Sequence, residues 1–198
     1  IVGFTNFNEN MNREESQKII NNMNEKLYKR GPDENGIYIN KHMCIGHRRL
    51  VVIDRENGKQ PMVCKYQGCN YVITYNGQIY NCDELRKTLT ENGFTFSGHC
   101  DTEVLLKSYI HYGHEVVKHL NGIFAFAIWD ESKEEIFLAR DHFGVKPLFY
   151  SIKNNEIVFA SEIKALFEFP SIYPEVDEKG ICELFGIGPA HTPGTTIF

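Results

Sequence analysis

Residues 123–160 constrain the fold more than any other part of the chain. Ile123-Phe124-Ala125-Phe126-Ala127-Ile128-Trp129 is an uninterrupted apolar run and reads as a strand. Residues 136–139, 148–152 and 157–160 read as three further strands, joined by turns such as Lys153-Asn154-Asn155. Shorter strands are expected at 1–7, 36–39, 44–48, 50–53, 71–74 and 94–96. Helices are expected after Asn12, which forms a capping pair with Glu15, and over 83–91, 102–112, 162–167 and 178–184. Asn81 is the expected cap of the second helix. Residues 54–68 read as a polar loop. Strands outnumber helices and mostly follow one another through short turns. This pattern predicts antiparallel sheets with helices outside them, an α+β domain.

The stretch Tyr75-Asn76-Gly77-Gln78-Ile79-Tyr80-Asn81 follows a β-branched and aromatic strand. Asn-Gly permits positive φ or a close approach to a ligand, so a strand–turn–strand corner is expected. Such a corner aims a side-chain amide and a backbone N–H at one point, where two donors can hold a developing oxyanion. A plain hairpin turn is the competing reading.

A chain of 198 residues suits one domain with a sizeable core. The net charge of −5 argues against a nucleic-acid or anionic-membrane surface. No apolar run nears the roughly 18 residues of a spanning helix, and the first residues lack the features of a signal peptide. None of the six cysteines forms a C-x-x-C pair. Free thiols in a reducing cytoplasm are expected, and the cysteine and histidine spacing does not suit a zinc site.

Three polar groups sit beside apolar strands. Arg49 at a strand end can fork onto a carboxylate. Asp101 before a helix can accept from an ammonium. Asn76 and Gly77 offer two amide donors. Together they suit an α-amino acid with a side-chain carbonyl. Each also has a structural reading: Asp101 as a helix cap, Arg49 as a surface ion-pair partner, and His47 as a hydrogen-bonded structural histidine.

Several motifs occur in order: Arg30-Gly31-Pro32-Asp33, His47-Arg48-Arg49-Leu50, the 75–81 stretch, Arg140-Asp141-His142-Phe143-Gly144-Val145-Lys146-Pro147-Leu148, Ala160-Ser161-Glu162-Ile163-Lys164-Ala165-Leu166, and Gly188-Pro189-Ala190-His191-Thr192-Pro193-Gly194. Over essentially its whole length the chain resembles the class II glutamine amidotransferase domain of glutamine-hydrolysing asparagine synthetase. The resemblance implies a four-layer αββα sandwich of the N-terminal-nucleophile hydrolase type, with two antiparallel sheets. The implied activity is hydrolysis of L-glutamine to glutamate and ammonia. In that family an N-terminal Cys, followed by Gly, is the nucleophile and its own α-amine the base. The resemblance assigns Arg49 to the glutamine carboxylate, Leu50, Val51, Val52 and Ile53 to the pocket wall, Asn76 and Gly77 to the oxyanion hole, and Gln78 and Asp101 to the amino group.

The chain departs from the family in three respects. The Cys-Gly expected ahead of Ile1 is not in the sequence, and no other cysteine pairs a thiol with a free α-amine. Gln78 stands where the family commonly has Glu, and Lys29 where it commonly has His. A catalytically inactive glutamine-binding module is therefore the alternative reading. No cofactor is expected in this domain; ATP and Mg belong to the synthetase domain that the resemblance places after it. The implied partners are L-glutamine and that domain, and a homodimer is compatible with the sequence.

Overall fold

The computed structural model describes residues 1–6, 12–51, 58–153 and 155–188. The first sheet holds β1 (Val2–Asn6), β2 (Glu34–Ile39), β3 (Met43–Arg49), β8 (Phe149–Lys153) and β9 (Glu156–Ala160), in the order β2-β3-β1-β9-β8. The second holds β4 (Met62–Tyr66), β5 (Cys69–Ile79), β6 (Gly122–Asp130) and β7 (Glu135–Arg140), in chain order. Every pairing in both sheets is antiparallel.

The apolar run in β6 forms because both faces of its sheet are covered. Ala125, Ala127 and Trp129 meet Met43, Ile45 and Phe159 between the two sheets. Phe124, Phe126 and Ile128 point the other way. They pack with Leu85 and Leu89 of α2 (Cys82–Glu91) and Val104, Leu105 and Tyr109 of α3 (Asp101–Tyr112). On the far side, Ile20 and Met23 of α1 (Arg13–Lys26) and Ala165 and Leu166 of α4 (Ile163–Leu166) bury Phe4 and Val158. A fifth helix, α5 (Glu178–Ile187), follows. The layers run helix, sheet, sheet, helix. Asn12 caps α1 as expected, its side chain accepting from the N–H groups of Glu14 and Glu15 at 3.0 and 3.4 Å.

Five local expectations are corrected. Asn76-Gly77 is not a turn: β5 runs unbroken through it, and residues 71–79 pair with 130–122 of β6. Gly77 is not among the positive-φ glycines. The polar loop expected over 54–68 contains β4, an edge strand of the second sheet. Residues 94–96 are not a strand; Phe94 instead stacks on Tyr66 at 5.5 Å, and Phe96 lies under the Arg86 guanidinium. Asn81 stands at the N-cap position of α2, but its side chain makes no capping bond and instead donates to the His119 carbonyl and accepts from Asn121 N–H. Leu50 and Val51 lie outside any strand. Val52 and Ile53 fall outside the described residues, as does the Gly/Pro-rich stretch after Gly188.

Candidate active site

Two facing strands carry matched gradients of polarity. On β3 the residues turned toward the second sheet are Met43, Ile45, His47 and Arg49; on β5 they are Val72, Thr74, Asn76 and Gln78. Each series runs from apolar to polar in the same direction. The apolar layer between the sheets ends where His47 Nδ1 meets Thr74 Oγ1 at 2.9 Å. Beyond that pair lies a cavity of about 550 Å³, bordered by Arg49, Asn76, Gly77, Gln78 and Asp101. Ala125, the strand partner of Asn76, is small and leaves room beside it.

The free edge of β5 explains the donor at Gly77. Alternate residues of a strand direct their N–H groups to opposite sides. Tyr75 N–H goes to Gln60 Oε1 at 2.6 Å, away from β6. Ile79 N–H goes to Asp101 Oδ2 at 3.3 Å. Gly77 lies between them with the same parity, and no described side chain accepts from its N–H. That group and the half-buried Asn76 side chain both border the cavity. Glycine is required here by crowding. A Cβ on residue 77 would stand 2.3 Å from the Ile123 carbonyl oxygen and 2.8 Å from Phe124 Cα.

Asp101 is the first residue of α3, and its side chain does not cap that helix. Its Oδ2 accepts from the Tyr75 hydroxyl at 2.7 Å. Burial, with the Asp101 charge, pushes the Tyr75 phenol far above its ordinary range, so it remains a neutral donor. The carboxylate is thereby fixed through Oδ2 at the cavity border, and no described group donates to Oδ1. Gln78 is exposed and borders the same space.

Arg49 is 7% exposed and donates to Glu34 Oε2 at 2.7 Å. That ion pair orients the guanidinium at the cavity border. The Arg-Gly-Pro-Asp motif holds the backbone around it. A Cβ on Gly31 would lie 2.3 Å from the Arg48 carbonyl carbon, so only glycine fits against β3. Asp33 N–H donates to the Arg49 carbonyl at 3.1 Å, and Asp33 Oδ2 accepts from Val51 N–H at 2.8 Å. Leu50 is 57% exposed at the cavity mouth.

The 160–166 motif meets the start of β1. Ser161 N–H donates to the Ile1 carbonyl at 2.9 Å, and Ser161 Oγ lies 2.9 Å from the Ile1 nitrogen. Arg30 reaches Glu162 at 3.2 Å. Burial opposes ionisation of Glu162, yet Lys164 and Arg30 hold its carboxyl below the usual range. Asp141 builds the turn that carries Lys146 to the cavity. It accepts from the N–H groups of Phe124, Phe143, Val145 and Lys146 at 2.9–3.2 Å. Burial works against its charge, but these four donors outweigh burial and hold the carboxyl low.

His47 fits its structural reading. Burial first, with the positive charge of Arg49, pushes its pKa well below 6.5. The fold therefore keeps it neutral, while the unfolded chain protonates it near 6.5. Stability contributed this way is present above about pH 6.5 and is lost as pH falls below it, by up to roughly 1.4 kcal/mol per unit. Urea unfolding at pH 7 and pH 5 should show this slope, and His47→Gln should flatten it. Asp141 and Glu162 add their own losses only at lower pH, below their ordinary values of 3.8 and 4.5.

The structure brings Arg49, Leu50, Asn76, Gly77, Gln78 and Asp101 to one cavity. Val51 is held beside them through Asp33. Sequence reading missed Tyr75 and Gln60 as parts of the wall. The period-two gradient along β3 was the available signal for where the cavity opens.

A model of the glutamine amidotransferase domain family matches residues 1–198, and the chain belongs to that family. It is 47% identical over its full length to asparagine synthetase [glutamine-hydrolyzing] 3 of Bacillus subtilis (strain 168), of which it spans 32%. It is 45% identical over 152 residues to asparagine synthetase [glutamine-hydrolyzing] 1 of the same strain, covering 77% of this chain and 24% of that one. The chain thus spans about a third or less of these relatives. Among solved structures, the glutamine phosphoribosylpyrophosphate amidotransferase of B. subtilis superposes with a TM-score of 0.67 at 23% identity, over 84% of this chain and 43% of that one. The fold is the αββα sandwich of the N-terminal-nucleophile hydrolases. No described helix is long and apolar enough to cross a membrane.

Proposed function

We propose that this domain hydrolyses L-glutamine to glutamate and ammonia, and that the ammonia serves an ATP-dependent synthetase domain of the same polypeptide that converts aspartate to asparagine. The observation that carries this reading is the Gly77 N–H, unclaimed by any described side chain, beside the Asn76 amide at the polar end of a cavity that also holds Arg49 and Asp101. Arg49 takes the substrate carboxylate, and Asp101 Oδ1 with the Gln78 carbonyl takes the ammonium. Leu50 and Val51 form the adjoining wall. The side-chain carbonyl oxygen of glutamine then lies against Asn76 and Gly77.

The nucleophile in this reading is a Cys, followed by Gly, directly ahead of Ile1. Ile1 lines the cavity, so a chain continuing upstream from it enters that space. The thiolate attacks the amide carbon and the C–N bond breaks. Ammonia leaves with the proton taken by the Cys α-amine. Water then cleaves the thioester, yielding glutamate and restoring the thiol. The donors at Asn76 and Gly77 stabilise the oxyanion in both halves.

Glutamate release from glutamine by the full-length protein tests the activity, and mass spectrometry of the mature N-terminus tests the nucleophile. A residue other than Cys before that Gly would overturn the mechanism. Binding of glutamine without turnover would instead favour an inactive binding module. Arg49→Gln should raise KM for glutamine by roughly 10–100-fold with a smaller change in kcat, the loss expected for one charged hydrogen-bond set. Steady-state kinetics read this directly.

A further inference from the structure

Gln60 meets β5 one residue before Asn76, and it does so with its side chain. The β4–β5 ladder pairs Met62 with Ile73 and Val63 with Val72. Continuing that register by two residues would set the backbone of Gln60 opposite Tyr75. The strand does not continue: β4 begins at Met62, after Pro61. The Gln60 side chain makes both missing bonds. Oε1 accepts from Tyr75 N–H at 2.6 Å, and Nε2 donates to the Tyr75 carbonyl at 3.0 Å. A primary amide carries the donor and acceptor of a peptide group, so it can end a ladder without extending it. Nε2 also lies 3.5 Å from Thr102 Oγ1, beside Asp101.

This substitution of side chain for strand has a consequence two residues on. A continued β4 would lay residue 58 against Gly77 and consume its N–H. With the ladder closed by Gln60, that N–H stays open to the cavity, while Asp101 secures Ile79 on the other flank.

We propose that Gln60 is a positioning residue for glutamine hydrolysis. Its amide clamps Tyr75 and so holds the Asn76 and Gly77 donors at the spacing a tetrahedral oxyanion needs, while leaving the strand edge free. The inference rests on the proposed glutaminase function. Gln60→Met removes both bonds at nearly constant length. Gln60→Glu keeps the acceptor, loses the donor and sets a negative charge against the Tyr75 carbonyl.

The test uses the full-length protein with its natural N-terminus. NMR-detected amide exchange should accelerate at Tyr75 by at least ~10-fold in Gln60→Met and stay unchanged at Ile73, whose strand partner is Met62. Both variants should lower kcat for glutamine hydrolysis by roughly 10–100-fold with KM nearly unchanged. In an Asn76→Ala background the same substitutions should cost almost nothing more, because Gln60 acts through Asn76 and Gly77. Unaltered exchange, an unaltered kcat, or a loss that adds fully to that of Asn76→Ala would each overturn the role. If Gln60→Met does not fold, Gln60→Glu carries the same measurements. A wild-type protein that fails to hydrolyse glutamine removes the proposed function and this role with it. An active wild type with equally active Gln60 variants removes only this role.

Discussion

Asn76→Ala is expected to lower kcat for glutamine hydrolysis by ~10²–10³ while leaving KM for glutamine almost unmoved. The amide of Asn76 borders the cavity next to the Gly77 N–H. In bound glutamine it faces a neutral carbonyl oxygen, and in the transition state it faces a negative one. A donor already in place contributes most to the charged state, so its loss appears in kcat. The side chain is half-buried and no described residue hydrogen-bonds to it, so thermal stability should change little. Kinetics of glutamate release by the full-length protein, with a melting curve, decide the matter. A raised KM at constant kcat would place Asn76 in ground-state binding and leave the oxyanion to other groups.

Gly77→Ala is expected to damage both stability and turnover. The added methyl would lie 2.3 Å from a carbonyl oxygen and 2.8 Å from a Cα, both in the backbone of β6. No rotamer change relieves contacts with a backbone, so β5 and β6 must part locally. Overpacking of this kind costs about 1–3 kcal/mol. The parting also swings the Gly77 N–H away from its place between the Tyr75 and Ile79 attachments, so kcat should fall at least as far as in Asn76→Ala. Melting temperature separates the two variants: it should drop for Gly77→Ala and hold for Asn76→Ala. A Gly77→Ala protein with normal melting and normal kcat would mean that this backbone group takes no part in the chemistry.

The layered architecture was legible because β6 is apolar on both faces and its neighbours follow through short turns. So was the pooling of Arg49, Asn76, Gly77 and Asp101, although chemistry suggested it and the family resemblance strengthened it. The Asn-Gly corner misled because a local rule was applied where a partner strand decides: β6 pairs with β5 straight through the dipeptide. The role of Asn81 was misjudged for a related reason. It stands where a helix begins, yet its side chain goes to groups distant in sequence. Gln60 was invisible because its meaning depends on strand register, which no window of sequence contains. Motifs of unclear purpose became intelligible as scaffolding: Gly31 and Asp33 shape the loop after Arg49, and Asp141 gathers the N–H groups of Phe143, Val145 and Lys146 into one turn.

The position of β1 governs the order in which the molecule can assemble. The second sheet is drawn from one continuous span, residues 62–140, and its strands meet sequence neighbours. The first sheet is not. Val2 pairs on one side with Gly46 and on the other with Ala160, nearly the length of the domain away. During synthesis β1 therefore emerges first and is completed last. Until β9 arrives it presents an unpaired edge, the kind of surface that joins strands from other chains. Closing so large a loop late is slow, because the entropy is lost before the contacts repay it. A chain stopped short of residue 160 should keep the helix-covered second sheet and expose β1 to aggregation.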